Sequence, residues 1–589
     1  MKIFEANISI LVSEFFKKNL FNVVSIENAN ELLKQTTGIK EFFSDETELI
    51  ELKEKLSALI SCVKEPDRAE YGDFQTNSEL ANKVASRLKE QNVNPEIIIE
   101  PTCGKGNFIV ASLNNFSHLK QVIGIEIYKP YVWESKFNIL DFFLTNPSFN
   151  KPKIEIFHYN VFDFDFKKLS KQIANSNLLI IGNPPWVTNS QLGSLNSNNL
   201  PKKANFKNQN GLDAITGKGN FDIAEYITLS LLEAFQSING HLALLVKNTV
   251  IKNVVFDQKT KQYFIGSIQK HCIDSKKEFN VSVEASLFFC KLNANPEYKC
   301  KEFNFYNKKK YLNFGWVNSK FVSNNENYIH TQSIDGICPF EWRQGIKHDC
   351  SSVMELEKTN EHFVNKLNEN VVIESDLVYG LLKSSDLKNT VINYTRKYTI
   401  VTQSKVGQET NYIKHKYPET FQYLFRHSSI FQLRKSSIYK GKPQFSIFGV
   451  GDYSFMPYKV AISGLYKTFH FTLVLPQNDK PVMLDDTCYF IGFEKIEYAV
   501  YAIILLNSPQ SEEFLQSITF PDAKRVFTKD VLMRIDLHRL ALICTMKYIK
   551  NQLNCMNDKY KLNLDLGLWD NFIEKMTPIK EKQLKLFGQ

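Results

Sequence analysis

The sequence of 589 residues lacks several features that would place it in other classes of protein. Its ten cysteines stand singly, with no Cys-x-x-Cys pair and no paired histidine spacing, which excludes a zinc module and favours reduced thiols. No apolar run approaches the ~20 residues that span a bilayer, and the first residues lack the architecture of a signal peptide. Neither sign of charge is in large excess, since 72 Lys and Arg face 63 Asp and Glu. We therefore expect a soluble cytoplasmic protein without a membrane partner, whose net charge of +9 permits a polyanionic partner without requiring one.

Length and hydrophobic content bound the architecture. A chain of this length is expected to form two or three domains. With 43% hydrophobic and 13% aromatic residues it can bury substantial cores, which excludes global disorder. Residues 1–65 are predicted to be a helical extension, because Leu52, Leu56, Leu59 and Ile60 recur at helical spacing. We expect this extension to cover a neighbouring domain or to offer a surface to a partner helix.

The stretch Asn183-Pro184-Pro185-Trp186 follows an apolar run, Leu178–Ile181, that is typical of a buried parallel strand. It is therefore predicted to lie at the carboxyl edge of a sheet, where open α/β sheets bind ligands. The prolines stiffen the turn and lack N–H donors, so the Asn183 amide oxygen and the Pro184 carbonyl can face one small donor group. The exocyclic amino group of a base is such a donor, and Trp186 supplies a flat face for its ring. The alternative is a rigid turn with no further role.

A second turn with ligand-binding character comes earlier in the chain. A predicted strand, Ile97–Ile99, leads through residues 100–107 into a helix from Phe108 onward. Gly104 and Gly106 allow the backbone to approach a ligand closely at a helix N-terminus. Many strand-to-helix turns use glycine, so Gly-x-Gly alone is weak evidence.

Acidic residues mark the ends of two further predicted strands. The strand at residues 122–127 contains Glu126 near its end, where an acid can hold ribose hydroxyls. The strand at residues 154–158 is followed by Asp163 and Phe164, a carboxylate and an aromatic ring at the same edge. Each acid alone could be an ordinary solvated residue, but the four strand ends together suit a nucleoside that carries an amino-acid tail.

The residues and the order of these motifs, over about residues 66–295, resemble the class I S-adenosylmethionine-dependent methyltransferases. The resemblance is specifically to the gamma-class adenine-N6 methyltransferases of DNA from restriction-modification systems. It implies an α/β, Rossmann-like class I domain with a mixed seven-stranded sheet, S-adenosylmethionine as the cofactor and no metal. The sequence departs from the family pattern at Asn77, where proline is common, and at Trp186, where tyrosine or phenylalanine is commoner.

The resemblance also implies which residues bind the cofactor. By it, Thr76 meets the methionyl end and Glu126 the ribose hydroxyls. Asp163 meets the adenine amino group and Phe164 the adenine ring. The implied cofactor-binding set is Thr76, Glu100, Pro101, Cys103, Gly104, Gly106, Phe108, Glu126, Asp163, Phe164 and Asn183.

For catalysis, the resemblance implies methyl transfer to the amino group of an adenine flipped out of the duplex. Asn183 and Pro184 would accept hydrogen bonds from that amino group, Pro185 would brace the turn, and Trp186 would stack on the base. Phe279 would stack on the base as well, although by itself it could equally be a core residue. Asparagine at the first position favours adenine, because the related cytosine-N4 enzymes usually have serine there, and a DNA cytosine-N4 methyltransferase is the alternative.

The remaining segments point towards DNA. Residues 187–219 are rich in Asn, Ser, Gly and Lys, and we expect a mobile loop that faces DNA. Residues 296–550 interleave basic and aromatic residues and resemble the α+β target-recognition domains of these enzymes, followed by a helical tail at 551–589. An ordinary α+β domain with solvated lysines is the alternative. The predicted DNA contacts are Lys202, Lys203, Arg343, Arg434, Lys435, Lys524 and Arg525.

Double-stranded DNA is thus the implied partner, together with a separate restriction endonuclease, because no nuclease constellation is evident; a solitary regulatory methyltransferase is also consistent. Two other classes stay open at this stage. One is a methyltransferase of RNA or of protein glutamine, because Asn-Pro-Pro-aromatic also occurs in those enzymes. The other is a non-catalytic DNA-binding specificity subunit, which would have no use for Glu126 and Asp163 together.

Overall fold

The computed structural model describes residues 5–57, 75–188, 222–359, 362–523 and 525–577. The chain divides into two compact units, Met1–Phe321 and Val322–Gln589. Almost all of the predicted DNA-facing loop, with Lys202 and Lys203, lies outside the described residues, as does Lys524. None of the helices within the described ranges is long and apolar enough to cross a membrane.

The first unit is built on a ten-stranded mixed sheet of order β10-β9-β8-β6-β7-β5-β4-β1-β2-β3. Strands β3, β2, β1, β4 and β5 run parallel to one another, and β7 runs antiparallel to both β5 and β6. The predicted apolar runs form β1 and β4, whose residues are all buried. The strands are β1 Ile97–Glu100, β2 Gln121–Glu126, β3 Lys153–His158, β4 Leu178–Gly182, β5 Gly240–Lys247, β6 Ile265–Cys272, β7 Ala285–Leu292, β8 Lys299–Asn304, β9 Lys310–Val317 and β10 Lys320–Val322.

The sheet is larger than the predicted seven strands. Strands β1–β7 form one contiguous block, and β8, β9 and β10 extend it beyond β6. The sheet therefore continues past the boundary expected near residue 295. Strand β8 has the polar sequence Lys-Cys-Lys-Glu-Phe-Asn, and all three added strands are only partly buried, unlike the fully buried β1 and β4.

Helices cover this sheet. Helix α4, Ser78–Glu90, buries Leu80, Val84 and Leu88 on one face. Asn77, which stands where the family often has proline, caps α4 by accepting a hydrogen bond from the Leu80 N–H at 2.7 Å. The helices of the first unit are α1 Ile10–Asn19, α2 Ile26–Thr37, α3 Glu46–Ser57, α4 Ser78–Glu90, α5 Asn107–Asn115, α6 Lys129–Thr145, α7 Phe166–Gln172, α8 Ile223–Phe235, α9 Asn248–Lys261 and α10 Ser275–Phe279.

The N-terminal segment belongs to this first unit. Its helical character is confirmed, and Phe16 and Phe42 pack against Phe137 of α6 at ring-centroid distances of 5.9 and 6.3 Å. Between α2 and α3, Ile39 forms a parallel bridge with Ile154 at the outer edge of β3. The Ile154 N–H donates to the carbonyl of residue 38 at 2.8 Å, and its carbonyl accepts from residue 40 at 2.9 Å. The segment thus forms a layer over α6 and an extension of the sheet.

The second unit contains two further sheets, of orders β11-β21-β18-β19-β16 and β14-β13-β12-β17-β15-β20. Its strands are β11 Arg343–Gln344, β12 Glu355–Lys358, β13 Phe363–Asn365, β14 Asn370–Val371, β15 Val378–Leu382, β16 Val391–Ile392, β17 Lys397–Ile400, β18 Tyr458–Ser463, β19 Thr472–Val474, β20 Met483–Leu484 and β21 Cys488–Phe493.

The helices of this unit follow a different order from those of the first, because most of them come after the strands. Helix α16 is its most apolar, with residues 499–506 all buried, and Phe572 of α21 packs on Tyr501 of α16 at 5.7 Å. The helices are α11 Asn325–Thr331, α12 Ser351–Met354, α13 Tyr412–Lys416, α14 Pro418–Arg426, α15 Ser428–Gln432, α16 Ile496–Leu506, α17 Pro509–Ile518, α18 Lys529–Leu532, α19 Leu537–Ile543, α20 Met546–Tyr560 and α21 Trp569–Met576.

Candidate active site at the carboxyl edge of the first sheet

The Asn183–Trp186 turn leaves the carboxyl end of β4 and is tied to two other segments. The Asn183 side chain donates from Nδ2 to the hydroxyl of Thr76 at 3.2 Å. Its main-chain carbonyl accepts a hydrogen bond from the Thr102 hydroxyl at 3.4 Å. Pro184 is buried and Pro185 half-buried. The structure therefore brings together Thr76 and Asn183 as predicted, and it adds Thr102, which the sequence did not single out.

Trp186 and Phe279, the two predicted base-stacking residues, contact each other. Trp186 is only 5% exposed, and its indole N–H donates to the carbonyl of Leu245 on β5 at 3.2 Å. The Trp186 and Phe279 rings meet edge to face, with centroids 4.9 Å apart and planes inclined by 68°. A base between them would need two contacts of about 3.5 Å each, so it cannot lie between the rings in this arrangement. The two rings instead form one aromatic pair.

The glycine turn after β1 holds Glu126. The main-chain N–H of Gly104 donates to Glu126 Oε2 at 2.8 Å, and that of Tyr128 donates to Oε1 at 2.8 Å. Gly104 has φ +49°, a conformation that points its N–H into the site and that glycine adopts without strain. Each carboxylate oxygen of Glu126 is thereby fixed at the end of β2 by one backbone donor.

Gly106 also meets a packing requirement of the fold. Its φ is +78°, and a Cβ at this position would lie 2.5 Å from the hydroxyl of Ser135 on α6. Glycine at this position therefore lets α5 pack closely on α6, and the predicted contact of Gly106 with the cofactor stays a prediction. Cys103 and Phe108 are likewise buried, and burial raises the pKa of the Cys103 thiol well above its usual range. These three residues of the predicted cofactor set therefore support the turn from within the core.

Glu100, the last residue of β1, is buried with an exposure of 2%. Burial raises the pKa of Glu100 well above its usual range, and the nearby Glu126 carboxylate acts in the same direction. Its Oε2 atom has no hydrogen-bond partner within the described part of the chain. Buried polar atoms are normally paired, so an acid of this kind beside a glycine turn marks a candidate ligand-binding position.

Asp163 and Phe164 lie in the turn after β3, as predicted. The Tyr159 N–H donates to the carbonyl of Glu126 at 2.9 Å, which brings this turn beside the end of β2. Asp163 is exposed, and the half-buried Phe164 ring packs on Phe157 at 5.6 Å. Phe164 also lines a cavity of about 220 Å³. Pro101 is buried in the turn after β1.

An ion pair that no sequence motif indicated lies next to the Asn183–Trp186 turn. Lys247, at the end of β5, lies 2.6 Å from Asp222, and both side chains are largely buried. Asp222 also caps α8 by accepting from the N–H of Ala224 at 3.0 Å, a role that an acid before a predicted helix could have indicated. Thr188 pairs with Asp222 as an antiparallel bridge, so the pair fixes the chain just beyond Trp186. No sequence signal connects Lys247 with this site. The described residues contain no group of three or more His, Cys, Asp or Glu side chains that could hold a metal ion.

The described residues of the second unit that were predicted to contact DNA differ in how they are held. Arg434 donates to three main-chain carbonyls at 2.7 to 3.0 Å and lies over the ring of Tyr439 at 3.7 Å. It therefore holds its own loop together, and its predicted contact with DNA stays a prediction. Lys435 is exposed beside it. Arg343 pairs with Glu341 and lies 4.7 Å from the centre of the Tyr453 ring.

Comparison with known proteins identifies the family. No protein-family model matches the chain. The type II methyltransferase M.NspV of Nostoc sp. (strain ATCC 29411 / PCC 7524) is 42% identical over 490 residues, which cover 81% of this chain and 98% of that protein. The chain belongs to the type II methyltransferases. Membership in this family confirms the prediction of a methyltransferase.

A solved structure supports the fold of this type II methyltransferase. The type IIL restriction-modification enzyme MmeI, solved in complex with DNA, matches with a TM-score of 0.54 at 12% identity. The match covers 98% of this chain and 90% of that one. At this identity the likeness concerns the fold alone.

Proposed function

We propose that this chain transfers the methyl group of S-adenosylmethionine to the exocyclic amino group of an adenine flipped out of duplex DNA. It would act in the cytoplasm as the modification enzyme of a restriction-modification system, beside a separate endonuclease. The observation that carries this proposal is the Asn183 turn, in which a carboxamide and a proline carbonyl lie beside an aromatic pair at the carboxyl edge of the sheet. The fold shared with MmeI, which was solved with DNA, supports duplex DNA as the substrate.

The residues around the glycine turn fit the proposed cofactor. Glu126 has one backbone N–H on each oxygen, and a carboxylate oxygen can accept more than one hydrogen bond, so it can also accept from ribose hydroxyls. The unsatisfied, buried Glu100 suits the ammonium group of an amino-acid tail. Asp163 and Phe164 would meet the adenine, and Thr76 the methionyl end. When bound, the cofactor supplies the electrophilic methyl group on its sulfonium.

The catalytic role of the chain is to position and polarise the target amino group. The amino nitrogen of adenine is a poor nucleophile because its lone pair is delocalised into the ring. Hydrogen bonds to the Asn183 side-chain oxygen and the Pro184 carbonyl would favour a more tetrahedral nitrogen and localise the lone pair. Thr76 fixes the carboxamide by accepting its N–H, so that the acceptor needs no reorganisation during the reaction.

A target base must leave the duplex to reach this turn. Stacking on the Trp186–Phe279 pair would offset part of the unstacking free energy, which is a few kcal/mol. Since the two rings already contact each other, the base would stack on an outer face of the pair. The indole N–H bond to Leu245 keeps the Trp186 ring in place for this contact.

The test is methyl transfer from labelled S-adenosylmethionine to duplex DNA, to RNA and to a protein extract in parallel, followed by digestion and mass spectrometry. We expect label only in the duplex, as N6-methyladenine. N4-methylcytosine would replace adenine by cytosine as the target, and label in RNA or protein would refute DNA as the substrate. Binding of duplex DNA without transfer to any substrate would favour a specificity subunit.

A further inference from the structure

The second unit contains a cavity of about 750 Å³ whose charges balance. Its lining comes from the segments around residues 346–355, 383, 433–436 and 485–486. Four acidic side chains contribute to it, Asp349, Glu355, Asp485 and Asp486. Four basic side chains oppose them, Lys347, Lys383, Arg434 and Lys435. A cavity of this kind suits a neutral ligand that presents both hydrogen-bond donors and acceptors.

The floor of this cavity is formed by buried side chains that pair with one another. Glu355 is 4% exposed and lies 2.6 Å from Lys383 and 2.9 Å from Lys366. Burial lowers the pKa of His348 to about 4, and its Nδ1 accepts from the N–H of Cys350 at 3.1 Å. Ion pairs therefore hold the floor in place.

The rim is different, because its charged groups lie near one another without closing short hydrogen bonds. The Asp486 carboxylate is 3.8 Å from both Lys347 and Arg525, and Lys347 is 3.4 Å from Asp349. These distances stabilise the charges but lie at or beyond the limit of a hydrogen bond. The main chain of Asp486 is nevertheless fixed, since its carbonyl accepts from Arg525 at 2.8 Å and from Gln344 at 2.5 Å. The rim thus holds the carboxylates of Asp349 and Asp486 and the ammonium group of Lys347 in place, and these groups can form further hydrogen bonds with a ligand.

We propose that this rim recognises a G·C base pair in the major groove of the substrate duplex, an inference that rests on the proposed function. Asp486 and Asp349 would accept from the N4 amino group of cytosine, and Lys347 would donate to O6 and N7 of guanine. Adenine is typically recognised by Asn or Gln, and the cavity lining within the described residues includes neither. The two rim carboxylates would repel a phosphate group, so backbone contact at this position is disfavoured.

The test compares recognition sequences. The wild type and the variants Asp486→Asn, Lys347→Met and Asp349→Asn are expressed in a host without this methylation, and methylated positions are mapped by sequencing. Asp349 has φ +52°, which asparagine tolerates, so this variant preserves the backbone. Asp530→Asn and Lys550→Met, both exposed and outside the cavity, serve as matched controls.

We expect the rim variants to relax specificity at one G·C position, with discrimination in kcat/KM between matched and mismatched duplexes reduced about tenfold or more. The controls should keep the wild-type sequence. Unchanged discrimination in all three rim variants would overturn the proposal. So would relaxation at an A·T pair, or a uniform loss of affinity for every sequence. If the wild type itself methylates no DNA, the proposed function is wrong. This outcome differs from one in which the wild type methylates DNA and the rim variants keep its sequence specificity.

Discussion

Main-chain groups hold Glu126 and Trp186 in the candidate active site of the first unit, whereas charged side chains at the rim of the second unit's cavity lie against one another. Glu126 is fixed by two backbone N–H groups and Trp186 by a strand carbonyl. At the rim of the second unit, by contrast, Asp486 lies between two cationic side chains at 3.8 Å. A site that is fixed by the ends of strands can be recognised from short sequence motifs. A surface that is held by charged side chains can change its binding preference through single substitutions.

The largest expected effect tests whether the chemistry lies wholly in the first unit. Replacing Asn183 by alanine removes the side-chain acceptor, and we expect methyl transfer to fall by about 10²- to 10³-fold or more. Affinity for S-adenosylmethionine, measured by calorimetry, and for duplex DNA should stay close to that of the wild type. Asn82→Ala, on the exposed face of α4, is the control. Wild-type methylation by the Asn183 variant would rule out this mechanism.

The next effect separates the two glycines of the turn. Gly106→Ala places a Cβ against Ser135 on α6 and at a positive φ, so we expect a loss of about 2–4 kcal/mol in the free energy of unfolding. At Gly104 the obstacle is the end of the flexible Gln75 side chain, and the loss should be smaller. Chemical denaturation of both variants measures the difference. Equal losses would show that close packing of α5 on α6 is not what requires Gly106.

The third prediction contrasts two neighbours in the second unit. Arg434→Ala should lower the free energy of unfolding by about 2 kcal/mol, since three carbonyls lose a charged donor. Lys435→Ala should leave stability unchanged but reduce the salt dependence of duplex binding by about one unit of slope. Thermal melts and binding titrations between about 50 and 200 mM salt make this comparison. Equal changes in stability and in salt dependence for the two variants would contradict the different roles expected for Arg434 and Lys435.

The smallest effect concerns the pH dependence of stability at Glu100. Because burial raises the pKa of Glu100 in the folded state, stability is greatest below the usual value of 4.5 and declines as pH rises towards the raised folded value. Glu100→Gln cannot ionise, so its melting temperature should exceed that of the wild type by a few degrees at pH 8 and converge near pH 4. The same variant should bind S-adenosylmethionine more weakly. An unchanged difference across this pH range would argue against a raised pKa of Glu100 in the folded state.

The sequence predicted the parts of the first unit that depend on apolar strands and their ends. The strands β1 to β4 were predicted from short apolar runs, and the turn at Asn183 from the glycine and prolines that follow β4. Strand β6 escaped detection because Gly266 and a bulge interrupt it. The ion pair of Lys247 and Asp222 joins positions with no shared motif.

Side-chain roles were harder to predict than positions. Trp186 and Phe279 were both expected at the site, but their mutual contact depends on how α10 packs. In the second unit, composition likewise does not show that the Arg434 guanidinium bonds the carbonyls of its own loop.

The bridge between Ile39 and Ile154 has a consequence for self-association. The outer edge of β3 would otherwise offer unpaired N–H and carbonyl groups to strands of other molecules. The N-terminal segment occupies part of this edge with its own backbone, and its phenylalanines cover the aromatic face of α6. A truncated chain without residues 1–45 should therefore do more than lose stability: its exposed edge and aromatic surface would promote intermolecular β pairing and aggregation.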